Sequence, residues 1–195
     1  MVRGQNLLIS GPSGAGKSSF LRVLMRIWDI NSGNITFGIT SEHILHVSQR
    51  PYFPSGGLSL RQQIEFPIHL PQTEQTYRNT GLIEELMVKL KVHHLLDRCG
   101  GLDSPVDFEW QETLTPGELQ RLSFIRVIIH RPILAILDEA TNAVSVDAEK
   151  TMYDLLVENG INFISVGHRP SLRNYHSVEL KLDGKTGYTF ENLIN

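Results

Sequence analysis

The chain has 195 residues, 41% of them hydrophobic and 20% charged, with a formal net charge of −3. That is enough for one domain with a real core, and the acidic balance excludes broad attraction to nucleic acid or an anionic membrane. The single Cys99 excludes an internal disulfide and suits a reducing compartment, where it reads as a small buried or surface residue.

No apolar run approaches ~18 residues, so no transmembrane helix is expected. The apolar run in MVRGQNLLIS is too short for a signal peptide and leads straight into a strand. That strand is NLLIS (Asn6–Ser10), followed by GPSGAG, too rich in glycine for strand or helix. From Lys17 the pattern turns helical, with Phe20, Leu21, Leu24, Ile27 and Trp28 on one stripe. Trp28 is expected to pack beneath this helix. NSGNITFG (31–38) reads as a turn into a strand, and ILHVSQ (Ile44–Gln49) as another strand, stopped by Arg50-Pro51.

From about Leu58 to Ile129 the chain reads as mostly helical, with breaks at FPIHLPQT (66–73) and RCGGLDSP (98–105). Leu82, Ile83, Leu86, Met87 and Leu90 form an amphipathic stripe for ordinary core packing. Strands return with ILAIL (Ile133–Leu137), NFISV (Asn162–Val166) and the alternating SVELKL (Ser177–Leu182). The expected class is α/β, a mostly parallel sheet core (1–57 and 131–195) with an antiparallel β edge and an inserted helical subdomain (58–130). In such sheets ligands bind beyond the carboxyl ends of the strands, so the residues after each strand carry the argument.

After the first strand, Gly11, Pro12, Ser13, Gly14, Ala15, Gly16, Lys17 and Ser18 match G-x-x-x-x-G-K-[ST] in full, with Ser19 next in line. Glycines let the backbone aim its N–H groups at phosphate oxygens, and the following helix adds its positive end. Lys17 is a point charge for the β- and γ-phosphates, and Ser18 offers a hydroxyl to Mg²⁺. ILAIL runs into Asp138-Glu139, two carboxylates directly after an apolar strand. In P-loop enzymes the first such acid holds Mg²⁺, and the second can orient and polarise the attacking water. ILHVS leads to Gln49, whose amide can reach the metal or the water. NFISV leads to Gly167-His168, where an imidazole can donate to the γ-phosphate. In LTPGELQR (Leu114–Arg121), Thr115 is an N-cap, Pro116 fits N1 and Glu118 completes a capping box.

In this order the phosphate loop, Gln49, LTPGE, Asp138-Glu139 and His168 resemble the nucleotide-binding domain of ABC transporters, over essentially the whole chain. The resemblance implies a P-loop NTPase fold and a head-to-tail dimer that sandwiches two ATP molecules. Each phosphate loop would face the LTPGE helix of a second ABC domain, with Thr115, Gly117 and Glu118 reaching the nucleotide in trans. It implies Glu139 as catalytic base, Asp138, Ser18 and Gln49 at the Mg²⁺ site, and His168 on the γ-phosphate. The helical insertion would face a transmembrane domain, and Gln49 with RPYFP would relay nucleotide state to it. Tyr52 and Phe53 stay open between core packing and contact with that domain. Trp110 stays open between the surface and the approach to the LTPGE helix.

DEATNAVSVDAE (Asp138–Glu149), HRPSL (His168–Leu172) and Tyr175-His176 look like subfamily D, half-transporters of peroxisomes and lysosomes. Ser145, where many ABC proteins have aspartate, supports this. LTPGELQRLSF and FISVGHRPSL look most like the lysosomal cobalamin-transporter branch, while NAVSVD leans toward the peroxisomal acyl-CoA branch. The expected function is ATP hydrolysis driving transport, on the cytosolic face of a lysosomal or peroxisomal membrane, the chain alone being soluble. A low-turnover regulatory module or truncated isoform is the alternative. Soluble ABC ATPases of translation or DNA repair usually carry a second cassette or a long coiled coil, and a small-molecule kinase would leave LTPGE and His168 unexplained. The family also has an adenine-stacking aromatic upstream of the phosphate loop and, in this subfamily, an N-terminal membrane half. The residues before Gly11 include no aromatic, so a fragment, a truncated isoform or an incomplete gene model is expected.

The family pattern reads serine, glycine, glycine, glutamine where this chain has Thr115, Pro116, Gly117 and Glu118. Thr115 keeps a hydroxyl and Gly117 a backbone N–H at the helix tip. A carboxylate at Glu118 repels phosphate unless it turns away, and the capping box gives it the Thr115 N–H to turn to.

Overall fold

A computed structural model describes residues 4–30, 32–67 and 75–193, with backbone alone at 75–78. In chain order the elements begin with β1 (Leu7–Ser10), α1 (Lys17–Leu24) and β2 (Ile44–Val47). Five helices follow: α2 (Leu60–Glu65), α3 (Gln75–Lys89), α4 (His94–Cys99), α5 (Trp110–Thr113) and α6 (Pro116–His130). The chain then runs through β3 (Leu134–Asp138), α7 (Val146–Glu158), β4 (Asn162–Val166), β5 (Val178–Leu182) and β6 (Tyr188–Asn192).

Among the described residues these strands form one six-stranded sheet of order β2-β3-β4-β1-β5-β6. β2, β3, β4, β1 and β5 pair in parallel, and β6 pairs antiparallel to β5 at the edge. The class is thus the α/β, mostly parallel fold that the strand pattern predicts. The central strands read as near-continuous apolar runs because helices or loops cover both faces of a parallel sheet. β3 buries Leu134 to Leu137, and β4 buries Phe163 to Val166.

By its internal contacts the chain divides into two compact units. The first comprises Met1–Val47, Pro132–Glu139 and Gly160–Asn195, and holds the sheet. Its core cluster joins Ile9, Leu21, Leu134, Ile136, Ile164 and Val166. The second comprises Ser48–Arg131 and Ala140–Asn159, and is helical. There Ile83, Leu86, Met87 and Leu90 of the predicted stripe are buried, and Leu82 is half-buried.

Two local expectations change. NSGNITFG forms no strand over its described residues. Ile35 and Phe37 alternate as a strand would, but a strand needs a ladder partner, and none of the sheet's six strands pairs here. Phe37 instead lies under the Arg26 guanidinium at 5.7 Å. Second, α1 ends at Leu24, and Arg26 turns the chain with φ 58. The helical period therefore no longer governs Ile27 and Trp28, both exposed, and Arg22 lies 4.9 Å over the Trp28 ring. Trp28 does not pack beneath the helix, and Phe20 is 38% exposed. Tyr52 and Phe53, open between two readings in the sequence, part company: Phe53 is buried against Trp110 and Tyr52 is exposed. Trp110 is buried on the approach to α6, its indole N–H donating to the Leu58 carbonyl. The break at RCGGLDSP is real, with Gly100 closing α4 in the left-handed region. Most of FPIHLPQT (68–73) lies outside the described residues. Cys99 is buried, and burial pushes its thiol pKa up.

Candidate functional site

β1 feeds straight into the phosphate loop. Gly14 and Gly16 take φ of 78 and 90, and Gly11 takes 137. At Gly11 a side chain is also excluded sterically, because a Cβ would collide with the Leu182 carbonyl. Gly16 is the N-cap of α1 and offers no side-chain cap, so no cap oxygen occupies the N–H groups of the first turn. Lys17 is buried, and its Nζ donates to the carbonyls of Gly11 at 3.0 Å and Pro12 at 2.9 Å. The ammonium is thereby held over the loop. Ser18 Oγ donates to Asp138 Oδ1 at 3.4 Å.

Asp138 ends β3, half-buried. Burial pushes its carboxyl pKa up; His46 pulls it down, Glu139 raises it further, and the Ser18 hydroxyl and Arg22 lower it. His46 pairs with Ile136 in the β2–β3 register, two residues before Asp138 and so on the same face. Its imidazole is open to solvent on one side, yet the protein behind it lowers its pKa, with Asp138 opposing. Glu139 takes φ 50, a left-handed conformation that costs a non-glycine residue about 1 kcal/mol. Its N–H donates to the Val166 carbonyl at 3.0 Å, which fixes this sharp exit from the strand.

His168 follows Gly167 at the end of β4, exposed and without a hydrogen bond among the described residues. A Cβ at Gly167 would overlap the Leu172 side chain, so the chain folds back tightly here. The buried His176 secures the fold-back. Its Nδ1 donates to the Leu172 carbonyl at 2.6 Å, and Nε2 accepts from Ser165 Oγ at 2.9 Å. Its ring stands edge-on to Phe163, and burial lowers its pKa to about 4, so it is neutral.

The phosphate loop, Ser18, Asp138, Glu139 and His168 all belong to the first unit, after strands β1, β3 and β4. Gln49, Thr115, Gly117 and Glu118 belong to the second. In that unit α6 starts as predicted. Thr115 Oγ1 accepts from the Glu118 N–H, and the Glu118 carboxylate accepts from the Thr115 N–H, with Pro116 at N1. A Cβ on Gly117 would stand 2.9 Å from the Ala143 carbonyl oxygen, so this glycine also has a packing reason. Gln120 is 1% exposed; its Nε2 donates to the Gln49 carbonyl at 3.2 Å and its Oε1 accepts from the Ala143 N–H at 3.0 Å. One buried amide thus ties the start of α6 to both segments.

Sequence patterns alone do not mark three of these residues. His46 is the one polar residue of the strand ILHV. Gln120 lies inside LTPGELQR, behind its tip. Arg22 gives no local signal, because Asp138, on which it acts, lies far along the chain.

Magnesium nucleotide fits this set. The uncapped tip of α1 and the left-handed glycines suit anionic oxygens, and the Lys17 ammonium supplies charge. Ser18 with Asp138 is a hydroxyl–carboxylate pair, the oxygen donors a hard cation takes beside phosphate. Among the described residues no group of three or more His, Cys, Asp or Glu could hold a metal.

Comparison with known proteins decides the family. The ABC transporter family profile matches residues 1–142, from the phosphate loop through the start of α6 to Asp138-Glu139. The chain belongs to the ABC transporter family. Within it, the chain is 40% identical over 188 residues to the lysosomal cobalamin transporter ABCD4 of Mus musculus, covering 94% of this chain and 30% of that protein. It is 37% identical over 190 residues to ATP-binding cassette sub-family D member 3 of Mus musculus, covering 97% and 28%. These relatives bear out the resemblance to subfamily D. The chain spans about 30% of the length of these curated relatives. Among solved structures, a bacterial Atm1-family ABC exporter with ATP bound superposes with a TM-score of 0.78 at 22% identity, over 98% of this chain and 34% of that one. That likeness establishes the P-loop fold of an ABC nucleotide-binding domain. Among the described residues no helix is long and apolar enough to cross a membrane.

Proposed function

We propose that this chain is the ATP-binding and ATP-hydrolysing domain of a subfamily D half-transporter. The observation that carries the reading is the cluster in the first unit. A complete phosphate loop with its ammonium in place lies beside Ser18 and Asp138, and Glu139 follows at a strained turn. Gly11 to Ser19 cradle the phosphates, with Lys17 on the β- and γ-oxygens. Ser18, Asp138 and, by the family likeness, Gln49 would hold Mg²⁺, which would supply neutralisation of the charge that develops on the phosphates. Glu139 orients and polarises the attacking water, and His168, without a hydrogen bond among the described residues, donates to the γ-phosphate. Thr115, Gly117 and Glu118 of a second ABC domain complete the site in trans.

One relative is by name a lysosomal cobalamin transporter, which supports a lysosomal membrane, a transmembrane domain as partner and a cobalamin-type substrate. The cytosolic face, the peroxisomal membrane and a fatty acyl-CoA type substrate rest on the sequence resemblance alone. The test is phosphate release by the chain in ATP and Mg²⁺. Glu139→Gln is expected to lower turnover at least ~100-fold while leaving ATP binding, the usual weight of a general base. Full turnover without Glu139 would refute its role.

A second reading, a low-turnover regulatory module, has one observation in its favour. The Thr115 hydroxyl donates its proton to Glu118 Oε2 at 2.8 Å, so it is engaged before any phosphate arrives. Clear ATP binding with no phosphate release by the unaltered chain would select this reading.

A further inference from the structure

Glu118 is the acidic residue in the first turn of α6, at the tip that the proposed function presents to ATP of a second copy. The capping box occupies only one of its oxygens. Oε2 accepts from the Thr115 N–H and from Thr115 Oγ1, each at 2.8 Å. The capping box by itself would leave Oε1 free to face a phosphate. In the structure Oε1 lies 2.7 Å from Nε2 of His94, the first residue of α4 and 24 positions earlier in the chain. A carboxylate oxygen only accepts, so the imidazole donates. The Glu118 side chain is 13% exposed and that of His94 58%. Burial alone would push the Glu118 carboxyl pKa up; the bonds from His94 and Thr115 outweigh it and bring the pKa below the usual value. Glu118 is therefore an anion, with both oxygens bound inside its own unit.

We infer that His94 is a positioning residue for the tip of α6. Its N–H holds the Glu118 carboxylate back from the nucleotide and screens its charge. The bond also gives Thr115 freedom. When the Thr115 hydroxyl turns its proton from Glu118 to a phosphate oxygen, Glu118 keeps a donor and does not swing toward the same phosphate. Without His94 the carboxylate would keep only the Thr115 N–H once the hydroxyl turned to phosphate, its Oε1 would be unbound, and like charges would face each other across the tip. This inference rests on the reading that α6 meets ATP in trans.

The test is ATP-driven dimerisation of the full chain, followed by sedimentation in the Glu139→Gln background, with and without His94→Ala, Glu118→Gln and the pair. His94→Ala is expected to raise the ATP concentration for half-dimerisation by ~5-fold, the weight of one charge-assisted hydrogen bond at a partly exposed site. In the Glu118→Gln background the same substitution should shift it less than ~2-fold, because the charge that His94 manages is gone. His94→Gln, which keeps an N–H donor, should recover most of the loss. An unchanged midpoint in His94→Ala overturns the inference, as does an equal loss in the Glu118→Gln background, which would mark His94 as merely structural. If the Glu139→Gln parent never dimerises in ATP, the dimer reading itself fails, a result distinct from either of these.

Discussion

Asp138 holds a charge that its surroundings do not favour. Burial raises its carboxyl pKa, and the basic neighbour that opposes this most, His46, is itself pushed toward the neutral form. An acid whose folded pKa lies above its unfolded one is destabilising once ionised, so it costs stability at neutral pH. Asp138→Asn should therefore raise the urea midpoint of unfolding while abolishing Mg²⁺-dependent turnover. His176 gives the pH dependence of the same unit. Its pKa falls from 6.5 to about 4 in the fold. The unfolded chain thus binds the extra proton between those values, and stability drops as pH falls from about 6.5 to about 4. The loss should be on the order of 3 kcal/mol, read as a lowered denaturation midpoint, and His176→Gln should flatten that slope. The identity of each candidate residue was legible because phosphate chemistry demands particular types after particular strands. Their electrostatics were not, since His46 meets Asp138 only through strand pairing and His176 meets Leu172 and Ser165 only in the folded turn.

The start of α6 was the most legible element, because Thr115, Pro116 and Glu118 interact within one turn and need nothing distant. Thr115→Ala should cost about 1 kcal/mol by thermal or urea unfolding, the usual loss of an N-cap. Gly117 is less transparent. Its family position suggests a phosphate-facing N–H, yet its hydrogen also makes room for the Ala143 carbonyl. Gly117→Ala should cost about 1–3 kcal/mol of stability, since a backbone atom must move to admit the Cβ. A turnover defect at Gly117 therefore needs a stability measurement beside it. NSGNITFG and Trp28 failed for one shared reason. Periodicity gives a face but not a partner, so it could not tell that 32–38 lacks a neighbouring strand or that Arg26 ends the helix register.

At the scale of the whole molecule, the sheet order follows from the chain pattern: parallel strands whose loops carry the candidate residues, and an antiparallel β6 at the edge. What the pattern could not supply is the grouping. The residues 48–57 and 140–159 belong with the helices by their contacts, through links such as the Gln120 amide to Gln49 and Ala143. The candidate residues are divided between the two units. The phosphate loop and the acids stand in one, and the α6 tip in the other. If two copies join head to tail, each loop meets the tip of its partner, and turnover per chain should rise with protein concentration.

Sedimentation of the Glu139→Gln chain in ATP and Mg²⁺ tests this most directly. The account predicts that the 22.0 kDa monomer becomes a dimer in ATP and returns to monomer when ATP is removed. A 22.0 kDa species at every ATP concentration would contradict it.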